Sequence, residues 1–290
     1  MSESSASLET ARTGFQEIGG SKAVGRVRQP AEDDEAVRHE HKRAFITGAG
    51  SGIGRETALR LSREGASILA TDIDLDSANE TVRLIEGEGG AALAARVDVR
   101  ERSEITAAVD LARDAWGAMH LLVNNAGLVT KHSLADLTEE AWDLVVDVNL
   151  KGQFLVAQEV SKLIAESGGG AIVNLSTVEA LVVVTSESTS QPHYNASKGG
   201  VPMLTKALAV ELAAANIRVN CVAPGPVATD FFDYEAVTSP EAFEFMKQRL
   251  LVQRVGLPSD IASAISWLLS EESSFVDGIQ LIVDGGWTTR

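Results

Sequence analysis

From Arg43 onward the chain alternates short β-branched runs with longer amphipathic stretches, and this alternation constrains the fold more than any other feature. Arg43–Thr47, Ser67–Thr71, Ala94–Val99, His120–Asn124, Ala171–Leu175, Ile217–Val222 and Ile279–Val283 read as seven strands. They are nearly continuous in hydrophobicity, as strands are when both faces of a parallel sheet are covered. Helices are expected between them at 52–64, 75–88, 103–115, 138–167, 193–215 and 259–270, with Ser103, Thr138 and Ser259 as starting caps. The pattern predicts a doubly wound α/β sheet in one domain. The stretch 225–257 breaks the rhythm and is the expected place for a substrate lid.

Residues 1–42 read differently. They are rich in Ser, Glu, Arg and Gly, carry the run Glu32-Asp33-Asp34-Glu35 and lack any sustained period. A segment of that kind buries too little apolar surface to offset its ordering entropy, so a polar, flexible tail is expected before a domain over 43–290. The 41 acidic residues against 25 basic ones give a formal charge of −16, which disfavours nucleic acid and anionic membranes as partners. A single cysteine excludes an internal disulfide. No stretch approaches the ~18 apolar residues of a membrane span. The first residues also lack the basic start and apolar centre of a secretory signal, so a cytoplasmic protein is expected.

Chemistry concentrates at the strand ends. The first strand runs into Thr47-Gly48-Ala49-Gly50-Ser51-Gly52-Ile53-Gly54, followed at once by a helix. Glycines there permit a tight turn and close approach of backbone N–H groups to a pyrophosphate, and the helix N-terminus adds a favourable dipole. The second strand ends at Asp72, about 20 residues beyond the glycine turn, where a carboxylate can accept hydrogen bonds from an adenosine ribose. It would repel a 2′-phosphate, as would the nearby Asp74 and Asp76, so NAD is favoured over NADP. Asp98-Val99 closes the third strand within reach of an adenine edge, and Asn124-Asn125-Ala126-Gly127 ends the fourth. In Tyr194-Asn195-Ala196-Ser197-Lys198 the phenol and the ammonium share one helix face. An adjacent ammonium lowers a phenol's pKa from ~10 and makes it a usable acid/base.

Together these motifs resemble the short-chain dehydrogenase/reductase family over essentially all of 43–290. Thr47-Gly48-x-x-x-Gly52-x-Gly54, Asn124-Asn125-Ala126-Gly127, Asn149, Tyr194-x-x-x-Lys198, Pro224-Gly225 and Val283-Asp284-Gly285-Gly286 occur in the family's order. The resemblance implies a Rossmann-type fold, a nicotinamide cofactor and a homotetramer built on long paired helices. It implies Tyr194 as acid/base and Lys198 as the group that holds the ribose and lowers the tyrosine pKa. Asn149 would anchor a water that links Lys198 to solvent. Gly48, Ser51, Gly52, Ile53, Gly54, Asp72, Asp98, Val99, Asn125, Ala126 and Gly127 would line the dinucleotide. Pro224, Gly225, Val227 and Thr229 would close over the nicotinamide.

One departure stands out. The family's fifth strand ends in Asn-x-x-Ser, whereas this chain has Asn174-Leu175-Ser176-Thr177. Register from Asn174 puts Thr177 in the serine's role, with Ser176 as the alternative if the strand end bulges. Threonine keeps the hydroxyl, but its β-methyl narrows the pocket. Cys221 reads as a core residue, and His39, His41, His120, His132 and His193 lack metal-ligand spacing. The valines within 181–184, with Phe231, Phe232 and Tyr234, point to an apolar secondary alcohol or ketone as substrate. The expected function is NAD-dependent interconversion of the two. The alternatives are a silent NAD-binding sensor or scaffold, or an NADPH-dependent 3-oxoacyl-type reductase.

Overall fold

Seven parallel strands form one sheet in the order β3-β2-β1-β4-β5-β6-β7. They are β1 Arg43–Thr47, β2 Ser67–Asp72, β3 Ala92–Arg96, β4 Leu121–Asn124, β5 Gly170–Leu175, β6 Ile217–Pro224 and β7 Gln280–Val283. The computed structural model describes residues 37–184, 190–229, 231, 239–240, 244 and 246–289. Among the described residues the α-helices are α1 Gly52–Arg63, α2 Leu75–Gly87, α3 Arg102–Trp116, α4 Glu139–Val146, α5 Gly152–Glu166, α6 Pro192–Leu212 and α7 Pro258–Leu269. Side chains alternate across each strand and so build two cores. Phe45, Leu69, Leu122 and Ile172 face Ile105 of α3, Val156 of α5 and Leu208 of α6. Ala44, Ile46, Ile68 and Val123 face Leu61 of α1, Ile85 of α2 and Ile265 of α7. Strand order reverses between β1 and β4, and the crevice beyond such a switch point is where open α/β sheets bind ligands.

Several expectations shift. β3 spans Ala92–Arg96 rather than Ala94–Val99, because this edge strand has only β2 to pair with and its register stops at Asp72↔Arg96. Asp98 and Val99 therefore lie in the following turn. The helix expected over 138–167 is divided: α4 passes through a π-helical turn, Asp147–Lys151, into α5. Thr138 caps α4 by accepting from Ala141 N at 3.2 Å, as expected. Ser103 is no cap, since α3 starts at Arg102 after Glu101. Ser259 is not one either: Pro258 opens α7, and the Asp260 carboxylate reaches back to Leu257 N at 2.7 Å. The 193–215 helix starts at Pro192 and ends at Leu212, with a 3-10 turn over Ala213–Ala215.

Of the expected 1–42 tail, residues 37–42 are described and pack on the domain; the rest lies outside the described residues. His39 is buried, its N–H donating to Glu64 O at 2.7 Å and its ring 3.1 Å from Ser266 Oγ. The folded unit thus begins before Arg43. Among the described residues no helix is long and apolar enough to cross a membrane, and no group of three or more His, Cys, Asp and Glu could hold a metal ion.

Candidate active site

Residues at or just beyond the C-terminal ends of the strands, from Gly48 after β1 to Trp287 after β7, line a cavity of about 920 Å3. Its floor on one side is the glycine turn. Gly48 and Gly52 have φ of 61° and 52°, values that side chains rarely adopt. Gly54 does not line the cavity but lets α1 start against the turn, because a Cβ there would sit 2.0 Å from Gly48 O. Asn125 ties the turn to β4, donating from Nδ2 to Thr47 O and Gly48 O at 3.0 Å each. Asp72 accepts from Gly50 N at 2.9 Å and Asp74 N at 3.0 Å, which fixes its carboxylate at the cavity edge. Asp98 is gripped by the Arg100 guanidinium, whose Nε donates at 2.9 and 3.1 Å, and this pairing holds its carboxyl below the usual range. The two residues thus present a paired charge to the cavity.

The other side is built by β5, α6 and the π-helical turn. Tyr194 and Lys198 are both buried on α6 and both line the cavity. Lys198 Nζ donates to Leu175 O at 2.9 Å, and burial lowers its pKa to about 8. The Tyr194 phenol is raised rather than lowered: burial is the main cause, Glu179 adds to it, and a hydrogen bond with Thr177 opposes it. Lys198 is not among the causes of this shift; its ammonium is held against the Leu175 carbonyl. Asn149 stands one layer behind the cavity. Its amide exchanges hydrogen bonds with the Leu128 backbone at 2.8 Å in both directions and donates to Ser197 Oγ at 3.2 Å. A Cβ on Gly127 would lie 3.2 Å from Asn149 Oδ1 and 3.3 Å from Lys198 Nζ, so these two groups flank one glycine. The π-helical turn delivers Asn149 to that point; such widened turns often mark functional sites.

The two candidate hydroxyls separate cleanly. Pro202 lies inside α6 and has no N–H to give to the carbonyl four residues earlier, that of Lys198. Ser176 Oγ donates to that freed carbonyl at 3.1 Å. Its hydroxyl is committed to holding α6 against β5. Thr177 instead accepts from Glu179 N at 3.3 Å and lies close enough to the Tyr194 phenol to oppose the rise in its pKa.

Of the other expected residues, Ser51, Ile53, Val99, Ala126, Pro224, Gly225, Val227 and Thr229 line the cavity. Within 225–257, the two ends are pinned by Ala228 N to Gly256 O and Gly256 N to Pro226 O, both 2.9 Å. Phe231 lines the cavity with its ring centroid 6.3 Å from that of Tyr194. Phe232 and Tyr234 lie outside the described residues. Cys221 is buried in β6, where burial pushes its thiol up to about 11. His193 is buried beside Thr130, whose Oγ1 lies 2.7 Å from its Nε2, and does not line the cavity. The lining residues that sequence reasoning missed include Glu179, Met246 and Trp287. Glu179 was visible as an acid two places after Thr177; nothing in the pattern marked the other two.

The cavity suits a dinucleotide. Its backbone turn admits no side chain at Gly54, Asp72 waits at one end, and Lys198 has one partner among the described residues for its three N–H donors. Phosphates would lie on the glycine turn at the α1 N-terminus, and hydroxyls would meet Asp72 and Lys198.

Fold and site define an oxidoreductase of the nucleotide-binding α/β type. The chain belongs to the short-chain dehydrogenase/reductase family. The family described as enoyl-(acyl carrier protein) reductase matches residues 48–288. The cyclohexanol dehydrogenase of Acinetobacter sp. (strain SE19) is 39% identical over 254 residues, covering 87% of this chain and 97% of the relative. The 3-oxoacyl-[acyl-carrier-protein] reductase of Thermotoga maritima is 39% identical over 251 residues, covering 86% and 99%. Among solved structures, a 7α-hydroxysteroid dehydrogenase complexed with NADH and 7-oxo glycochenodeoxycholic acid superposes with a TM-score of 0.81 at 34% identity, covering 88% of this chain and 98% of that one. A gluconate 5-dehydrogenase from Burkholderia cenocepacia, in complex with NADP and tartrate, gives the same TM-score, identity and coverage.

Proposed function

We propose that the protein interconverts a secondary alcohol and a ketone with NAD, using Tyr194 as acid/base. The observation that carries this reading is the meeting of Tyr194, Thr177 and Lys198 on one cavity whose far end holds Asp72. Bound NAD supplies the ring that accepts or returns hydride. Tyr194 takes the alcohol proton on oxidation and gives it back on reduction, and Thr177 orients the substrate oxygen by a hydrogen bond. A phenol raised by burial needs a cation to ionise, and Lys198 sits one helical turn away on the same face. Asn149, bonded to Leu128 and Ser197, positions the π-helical turn behind Lys198 and would hold a water on the proton path. Val178, Phe231, Met246 and Trp287 form apolar walls that exclude water and suit a mainly apolar substrate.

Asp72 supports NAD over NADP, because its carboxylate would face a 2′-phosphate with like charge. The same feature argues against an NADPH-dependent 3-oxoacyl-type reductase. A silent sensor or scaffold would have no use for the converging hydroxyls and ammonium. Exposed Phe154 on α5 and Met203 and Val210 on α6 support self-association through those helices, in keeping with a homotetramer. A cytoplasmic site of action fits this reading. The test is reduced-nucleotide formation from a panel of cyclic and linear secondary alcohols, with NAD and NADP side by side and NADH binding followed by fluorescence. Turnover with NAD is expected; tight NADH binding without turnover of any alcohol would favour the sensor reading.

A further inference from the structure

We propose that Glu179 is a specificity-determining residue that accepts a hydrogen bond from a second donor on the substrate, a hydroxyl or amine one or two carbons from the reacting carbinol. This rests on the alcohol dehydrogenase reading above and adds the substrate's second polar point. Glu179 sits in the 3-10 turn Val178–Ala180, directly after Thr177, and its N–H is anchored on Thr177 Oγ1. Its side chain lines the cavity and acts electrostatically on the Tyr194 phenol, so it stands beside the place where the substrate oxygen is handled.

Every other acid lining this cavity is partnered. Asp72 accepts from two backbone N–H groups and Asp98 is held by Arg100. Among the described residues, the Glu179 carboxyl has neither a hydrogen bond nor an ion pair. The cavity's cations do not serve it: Lys198 is bonded to Leu175 O and Arg100 to Asp98. The apolar residues that line the same cavity, among them Val178, Val184, Phe231, Met246 and Trp287, offer no compensating charge. Burial alone pushes its pKa up to about 7, and both the carboxylate and the neutral acid keep an acceptor oxygen.

A half-buried acid without a partner is costly, and a hydrocarbon substrate closing over it would raise that cost. A substrate donor removes it. Sites built to hydrogen-bond a substrate group discriminate strongly against analogues that lack the group. An otherwise apolar ring or chain bearing one extra donor therefore fits this cavity better than the parent alcohol.

The test compares kcat/KM for cyclohexanol, trans-1,2-cyclohexanediol and trans-2-aminocyclohexanol in wild type, Glu179→Leu and Glu179→Gln, with melting temperatures as a folding control. Taking the ratio of diol or amino alcohol to cyclohexanol cancels any effect of Glu179 on Tyr194, which all three substrates share. In wild type the ratio for at least one donor-bearing substrate should exceed one. Glu179→Leu should lower it at least about tenfold, mainly through KM. Glu179→Gln retains an acceptor oxygen, so it should keep a preference for the diol; losing only the amino alcohol would identify an ammonium as the donor. An unchanged ratio in folded Glu179→Leu enzyme overturns this inference and leaves the alcohol dehydrogenase reading standing. No turnover of any of the three by wild type contradicts that reading, and this inference with it.

Discussion

Two groups of buried titratable side chains lie at opposite ends of the parallel strands, and they are built in opposite ways. Before β1, at the N-terminal edge of the sheet, His39 meets Glu64 at 3.5 Å and Ser266 at 3.1 Å, and Glu64 also accepts from Arg60 and pairs with Arg38. Each polar group there is answered by another. At the C-terminal edge, Tyr194, Lys198 and Glu179 face a cavity with fewer partners than they can use. Satisfied networks rigidify a fold, whereas groups left with spare donors and acceptors are available to a ligand. The contrast separates structure from chemistry without reference to sequence motifs.

The contrast can be tested by breaking each end. Tyr194→Phe removes a hydroxyl from the open end and nearly preserves packing. Turnover should fall by ~10²–10⁴ while NADH affinity, measured by fluorescence titration, stays close to wild type. Thr177→Val is nearly isosteric but cannot bond the substrate oxygen, so kcat should drop roughly 10²–10³-fold. Ser176→Ala should do far less to kcat, because that hydroxyl serves the Lys198 carbonyl in α6; a reversed ranking would mean that the wrong hydroxyl has been assigned.

The closed end predicts a stability effect instead. Burial holds His39 neutral, with a pKa of about 4 against 6.5 for a free histidine. The unfolded chain therefore takes up a proton that the folded one refuses. The stability this contributes is present above pH 6.5 and is lost as pH falls toward 4, by up to roughly 3 kcal/mol. Urea melts of wild type should show that loss, and His39→Gln should show a shallower one with steady-state activity retained at neutral pH. Asp72 is intermediate, an acid with two backbone partners and an edge open to the cavity. Asp72→Ala should weaken NAD binding roughly tenfold and narrow the NAD/NADP preference.

How far the sequence discloses each end follows from the same physics. The seven strands, the glycine turn and the Tyr194/Lys198 pair were legible because each depends on local spacing: period, φ requirements, or four residues on a helix. The end of β3 was not, since it is set by where its neighbour β2 stops. The π-helical turn that carries Asn149 shows no break in amphipathic pattern between Thr138 and Ser167. The choice between Ser176 and Thr177 was open from alternation alone, but Pro202, four residues after Lys198, was a readable sign of a freed carbonyl needing a donor. Local pattern leaves His39 in the tail because its partners, Glu64 and Ser266, are distant in sequence.

If the C-terminal cluster performs alcohol oxidation rather than ligand binding alone, hydride must leave the carbinol carbon for the nucleotide. The most direct measurement supplies a secondary alcohol that the panel has shown to be turned over, deuterated at its carbinol carbon, and analyses the nucleotide product by mass spectrometry. Wild type should give one deuterium per reduced nucleotide, and Tyr194→Phe at least a hundredfold slower labelling. Reduced nucleotide without deuterium, or labelling at the wild-type rate when Tyr194 is replaced, would contradict alcohol oxidation by this cluster.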